Sequence, residues 1–102
     1  MDIKTLQDEV NSRWELQVNN PCHRSADANH ALVHMVKAIG KVASALNNAQ
    51  HENRELFSCE VSSYLADIVI CAARFSHKIT DLDAACEKRL AEKFPLNRHA
   101  IR

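Results

Sequence analysis

Apolar side chains recur along this chain at spacings of three and four residues, which is the period of an amphipathic α-helix. This pattern predicts an all-α fold, a single-domain four-helix bundle with helices at about residues 2–17, 27–47, 54–77 and 80–94. The first helix carries the stripe Ile3, Leu6, Val10 and Trp14, and it is expected to end before Asn19, Asn20 and Pro21. A basic tail over residues 95–102 follows the last helix.

The second predicted helix has a regular apolar stripe, which is expected to be buried: Leu32, Met35, Ile39, Val42 and Leu46. Gly40 lies within this helix, where glycine costs roughly 1 kcal/mol relative to alanine. Either another helix approaches closely at Gly40, or the glycine is a neutral accident.

The third predicted helix is the most apolar, because between Tyr64 and Phe75 only Asp67 and Arg74 are charged. A helix that is apolar around most of its circumference belongs in the centre of a bundle. A carboxylate in such a helix is normally paired or functional, which makes Asp67 a candidate site residue.

The fourth predicted helix begins near Thr80, where Thr80 and Asp83 form a variant of the capping box. Its expected buried side consists of Leu82, Ala85, Cys86, Leu90 and Phe94.

Composition agrees with helices, since the 102 residues include one Gly and two Pro, too few for the turns of an all-β fold. The 13 basic and 13 acidic residues balance, which argues against a nucleic-acid binder. The longest apolar run, residues 68–73, is too short to span a membrane, and residues 1–10 do not resemble a secretory signal. We therefore expect reduced cysteines and a cytoplasmic location.

Polar residues also recur at helical spacing, on one face of each of two helices. On the second helix they are His34, Lys37, Lys41, Ser44 and Asn48. On the third helix they are Glu60, Ser63, Asp67 and Arg74. Each face is either simply solvated or part of a site, and spacing alone does not decide between these interpretations.

Three segments, in the same order along residues 31–95, resemble the MazG-like all-α nucleotide pyrophosphohydrolases, which include dCTP and dUTP house-cleaning enzymes. Residues 64–70, YLADIVI, resemble the family's ELADVLIYL helix, and residues 31–46 are similar to its ALGLVGEAGELAEAI helix. Residues 80–95 look like its C-terminal IDLEEAVEEKLAK and RYP motifs. The resemblance implies a MazG-like bundle that assembles as a homodimer or homotetramer, and the apolar surface of the third helix favours the same assembly.

The family holds Mg²⁺ with an ExxE and an ExxD pair, and the resemblance places these four positions at Ala38, Lys41, Tyr64 and Asp67. Three of the four acids are absent from this sequence. Mg²⁺ requires oxygen ligands, and an ammonium group 4 Å from a divalent ion would repel it by roughly 8 kcal/mol at an effective dielectric of 20. We therefore expect no catalytic residues, no metal ligands and no cofactor, and a protein that has lost the family's hydrolytic activity.

A vestigial pocket is the candidate site that remains, formed by Lys37, Lys41, Tyr64 and Asp67. In this hypothesis Lys41 pairs with Asp67, and the two lysines could bind the phosphates of a nucleotide without metal.

The resemblance also suggests base-side pocket residues, and the candidates are Trp14, His23, Arg24 and His30. Trp14 has a competing role in core packing, because it lies on the apolar stripe of the first helix. His30 and His34 have the i, i+4 spacing of a zinc site but no evident third ligand, so their spacing is more often incidental.

Two other functions remain open. One is an active Mg²⁺-dependent pyrophosphohydrolase with a relocated metal site, for which Glu52, Glu55 and Glu60 are the candidate acids. The other is a helical interaction module unrelated to nucleotides, since a helical bundle does not specify a function.

Overall fold

The structure, a computed structural model, describes residues 1–18 and 28–95. This part of the chain is all-α and contains no strand. Its helices, in chain order, are α1 (Ile3–Val18), α2 (Ala28–His51), α3 (Ser62–Ser76) and α4 (Leu82–Lys93), with a short 3₁₀ turn at Ser58–Glu60 before α3. The predicted fold class and the four helices are thus confirmed, while several helix ends differ from the prediction.

The core is built on α3, which packs against α2 and, through its C-terminal half, against α1. The buried positions of α2 are small side chains, Ala31, Ala38 and Ala49, spaced so that they fall on one side of the helix. Cys71 and Ala73 of α3 are also buried. Small side chains let helix axes approach closely, but each buries little apolar area.

The predicted buried stripe of α2 is wrong in its larger members. Leu32, Ile39 and Leu46 are 40–50 % exposed, because the alanine side of α2 packs against α3 instead. The central placement of α3 holds, but its complete burial does not, since Leu65 and Val69 are about half exposed. On α4, Leu90 and Phe94 are also exposed, contrary to their predicted burial.

Helix α2 runs four residues beyond its predicted end at Asn47 because the polar residues that follow continue the helix. Two residues after the end of the helix, Asn53 has a φ of 53°, in the left-handed region that asparagine tolerates better than most residues. The amide of Asn53 donates to the Gln50 carbonyl at 3.2 Å, and that of Arg54 donates to the Ala49 carbonyl at 3.0 Å. This pair of bonds is a Schellman-type helix end.

The third helix begins later than predicted, at Ser62 rather than Arg54, because Arg54 and Glu60 close the α2–α3 connection as a separate loop. The Arg54 guanidinium donates to both carboxylate oxygens of Glu60, at 2.8 and 3.0 Å. Glu60 also accepts a 2.8 Å hydrogen bond from the Phe57 amide. A two-pronged contact of this kind fixes direction as well as distance, so it holds the turn between the two helices.

Helix α4 also starts differently, because Asp81 rather than Thr80 caps it. The Asp81 carboxylate accepts from the Ala84 amide at 3.2 Å, which satisfies one of the amide groups left unpaired at a helix start. The first helix is capped in the same way, by a 2.7 Å bond from the Thr5 amide to Asp2. This amide lowers the pKa of the Asp2 carboxyl group below its ordinary value.

A buried glutamine joins α1 to the α3–α4 corner. Gln7 is 2 % exposed, and its Nε2 donates to Ser76 Oγ at 2.9 Å and to the Thr80 carbonyl at 3.3 Å. One helical turn further on, the Asn11 side chain accepts from Arg74. Because residues later in α1 meet residues earlier in α3, the two helices run antiparallel.

Cys71 of α3 is buried, and burial raises the pKa of its thiol. At Gly40, an added Cβ would meet no atom within 4 Å, so no other helix of the described chain approaches it closely. No helix in the described residues is long and apolar enough to cross a membrane.

Replacing Gln7 with methionine tests the buried hydrogen bonds. Methionine keeps the length of the side chain but leaves the Thr80 carbonyl without its side-chain donor, so we expect a loss of about 1–2 kcal/mol in unfolding free energy. Urea denaturation measures it, and Gln50→Met on the exposed surface is the matched control. Equal effects of the two substitutions would contradict a structural role for Gln7.

Gly40→Ala tests the open space around Gly40. The substitution should stabilise the protein by about 1 kcal/mol, because alanine favours the helix and meets no neighbour. The measurement is again the free energy of unfolding in urea. A loss of stability would show that a neighbour does contact α2 at this position.

Candidate functional site

The polar stripe of α2 is a solvent-facing surface. All five of its members are exposed: His34, Lys37, Lys41, Ser44 and Asn48. Lys37 and Lys41 lie about one turn apart, and neither forms an ion pair within the described residues. The stripe is therefore exposed to solvent, where its two adjacent ammonium groups can contact an anion.

The polar stripe of α3 divides into separate parts. Ser63 and Asp67 are exposed, whereas Glu60 is partly buried and bound to Arg54. Arg74 is partly buried at the other end of the helix, where it reaches Asn11 of α1. Glu60 lies in the 3₁₀ turn before α3, and different neighbours engage Glu60 and Arg74, so the four residues do not form a common site.

The four positions that the resemblance assigns to metal binding do not form an enclosed site. Ala38 is buried on the α3 side of α2, and Tyr64 is partly buried. Lys41 and Asp67 are exposed, and no ion pair joins them. The expected burial of Asp67 and its predicted pairing with Lys41 are therefore wrong for the chain as described.

These side chains do not fit a magnesium ion. A methyl group, an ammonium group and a phenol replace three carboxylates, so one negative charge remains where Mg²⁺ would need several oxygen ligands. Elsewhere in residues 1–18 and 28–95, no three His, Cys, Asp or Glu side chains are grouped as metal ligands. Glu52, a candidate for a relocated site, has its carboxylate bonded to Arg54.

The predicted base-side residues are only partly described, since His23 and Arg24 lie outside the described residues. Trp14 is partly buried on α1, and the Arg74 guanidinium lies 5.7 Å from the centre of its ring. The competing role of Trp14 in packing is thereby supported. His30 is partly buried near the start of α2. Its ring is edge-on to the ring of His34, and the two ring centres are 4.2 Å apart.

Sequence reasoning missed the two polar groups that do most to organise the described chain. Gln7 could have been found, because it lies four residues after Ile3 and three before Val10, on the apolar side of α1. The pairing of Arg54 with Glu60 gave no such signal. Residues six apart are not neighbours in a continuous helix, and the prediction placed both in one helix.

Comparison of this chain with models of known protein families, with curated proteins and with solved structures found no match. The MazG-like resemblance therefore stays a prediction.

The contact between Arg54 and Glu60 predicts a specific response to acid. The guanidinium, with help from the Phe57 amide, lowers the pKa of the Glu60 carboxyl group below its ordinary value of 4.5. Its contribution to stability is thus complete above pH 4.5 and is lost as the pH falls through the lowered pKa of the folded state.

Replacing Glu60 with glutamine should therefore lower stability at neutral pH and weaken its decline in acid. Unfolding free energies measured from roughly pH 7 to pH 2.5 check this expectation. Glu87→Gln, at an exposed position on α4, is the control and should change neither quantity appreciably. An unchanged acid response in Glu60→Gln would contradict the assignment.

Proposed function

We propose that this protein is a non-catalytic relative of the MazG-like nucleotide pyrophosphohydrolases, and that it acts through contacts with other protein chains. The observation that carries the loss of catalysis is the position of Asp67. It is the one acid kept among the four positions that the resemblance assigns to metal binding, and it is exposed. No three potential metal ligands are grouped anywhere in the described residues.

Protein contact is supported by apolar side chains that the described chain leaves uncovered. On α2 alone, Leu32, Val36, Ile39 and Leu46 are each at least 40 % exposed. Apolar side chains grouped on one helix face mark interaction surfaces more often than single scattered ones do. The homodimer or homotetramer expected from the sequence belongs to this proposal, as do the absence of nucleic-acid binding and the cytoplasmic location.

A nucleotide ligand is a second candidate, favoured by one observation. Lys37 and Lys41 are exposed on one side of α2 and have no ion-pair partner in the described residues, so both can reach a phosphate group. Such a contact would be weak and sensitive to salt.

The proposed loss of catalysis predicts that the protein releases no pyrophosphate from nucleoside triphosphates. The assay uses a panel of canonical and modified deoxynucleoside triphosphates with Mg²⁺ or Mn²⁺, and Asp67→Asn serves as the matched variant. We expect both proteins to give only the background rate. Robust turnover that Asp67→Asn abolishes would establish the active alternative and overturn the proposal.

The nucleotide candidate has a separate readout in the same samples. If the lysines bind phosphate, triphosphates should raise the melting temperature of the wild-type protein but not that of a Lys37→Gln, Lys41→Gln double variant. No shift in either protein would favour the interaction module unrelated to nucleotides.

A further inference from the structure

One side of α2 presents an uncharged apolar strip to solvent. We call it the α2 strip, and it consists of Leu32, Val36, Ile39, Ala43 and Leu46. Its members follow one another at spacings of four, three, four and three residues, so they lie in line along the helix. Val36 and Ile39 are 61 % and 50 % exposed. The charged residues of α2, Lys37 and Lys41, lie on a different side of the helix.

The apolar surface continues onto α3, where Leu65 and Val69 are 48 % and 51 % exposed. Residues 52–61 connect α2 to α3, and the two helices then pack against each other as an antiparallel hairpin. In an antiparallel pair, consider the residues that lie about a quarter-turn around each helix from its contact with the other. When both are counted in the same rotational sense from the N-terminus, they lie on the same side of the pair. From this geometry we infer that the α2 strip and the two α3 residues lie on one surface of the hairpin.

The α2 strip is complementary to itself when its direction is reversed. Ile39 lies at its middle, with Leu32 seven residues before it and Leu46 seven residues after it. A two-fold axis at Ile39 therefore sets Leu32 against Leu46 of a second copy. It brings the larger Val36 to within one residue, or about 1.5 Å along the helix axis, of the smaller Ala43. Two-fold pairing requires this kind of self-matching surface, and large-against-small contacts allow close packing.

We propose that a second copy of this chain covers the α2 strip, with the two α2 helices antiparallel across a two-fold axis at Ile39. An uncharged strip carries no like charges to repel its own copy and no charge pattern to select a different protein. This inference rests on the proposed function, in which the protein acts by contact, and names the partner.

The available area is consistent with a dimer. The strip spans 14 residues, or about 21 Å of helix, and α3 doubles the width of the surface. Six half-exposed aliphatic side chains present on the order of 80 Å² each, which gives roughly 500 Å² of apolar area per copy. With a polar rim this approaches the ~800 Å² per partner of a standard interface. An interface below the standard size is typical of a weak, reversible dimer.

Sedimentation equilibrium of the full chain, from about 1 to 100 µM, tests the assembly itself. We expect a mass that rises towards twice the 11.5 kDa of one chain. A monomer throughout this range would overturn the proposal, and so would an assembly that grows without limit, because a two-fold contact closes after two copies.

Two matched substitutions on α2 locate the interface. Ile39→Glu places two carboxylates against each other at the axis, so the dissociation constant should rise at least ~100-fold. Val33→Glu is the control, because Val33 is β-branched and 52 % exposed like Ile39 but lies off the strip. Circular dichroism checks that both variants remain helical. Equal weakening by both substitutions, or no weakening by Ile39→Glu, would overturn the assigned surface.

A charge-swap mixture provides the decisive measurement, including the case in which Ile39→Glu does not fold alone. Ile39→Lys and Ile39→Glu should each fail to dimerise, yet their equimolar mixture should form a mixed dimer, because the two residues meet at the axis. Failure of the mixture to pair would overturn the two-fold at Ile39. Pyrophosphate release would contradict the proposed function without affecting this result, so the two failures are distinguishable.

Discussion

Close contact between α2 and α3 through small side chains is the constraint on which the rest of this structure depends. Ala31, Ala38 and Ala49 allow the helices to approach, but an alanine removes far less apolar area from water than a leucine does. The single chain therefore has a thin core. The larger aliphatic residues of α2 cannot occupy the same side of the helix, so they lie on the neighbouring side, where no described part of the chain covers them. The alanine contact and the exposed strip are thus two results of one arrangement.

Directional polar contacts supply the specificity that a thin apolar core lacks. Apolar contacts change little in energy when one helix slides along another. A buried amide that loses its hydrogen-bond partners, in contrast, lowers the stability of the fold. Gln7 of α1 donates hydrogen bonds to Ser76 and to the Thr80 carbonyl, which fixes the position of α1 along α3. The fork between Arg54 and Glu60 does the same for the turn that brings α3 back along α2. Each contact fixes a connection between helices: Gln7 contacts the α3–α4 corner, and Arg54 and Glu60 close the α2–α3 loop.

The number and order of the helices could be predicted from the sequence because both follow from a local period of three and four residues. The side of α2 that packs inside the chain could not be predicted. Its alanine side and its leucine side both satisfy that period, and a one-dimensional pattern does not say which side meets the same chain. The ends of the helices were predicted wrongly for a related reason. Asp81 and Thr80 are both good caps, and three-dimensional contacts decide between them. At the candidate site, the sequence was enough to identify Asp67 as the acid kept at the four positions. Its exposure could not be predicted, because it depends on how the other helices pack around α3.

A carboxylate acquires its role from its neighbours, and this explains why Asp67 and the α2 strip have such different environments. Several acids grouped on facing helices repel one another unless a cation joins them, so a metal site justifies enclosing them. With Ala38, Lys41 and Tyr64 at the other positions, no excess of negative charge requires a cation, and Asp67 is solvated at little cost. Water offers no comparable benefit to Val36 or Ile39, whose exposure is unfavourable until another apolar surface covers them. Of the two sides of the hairpin, the apolar one therefore has the stronger physical requirement for a partner.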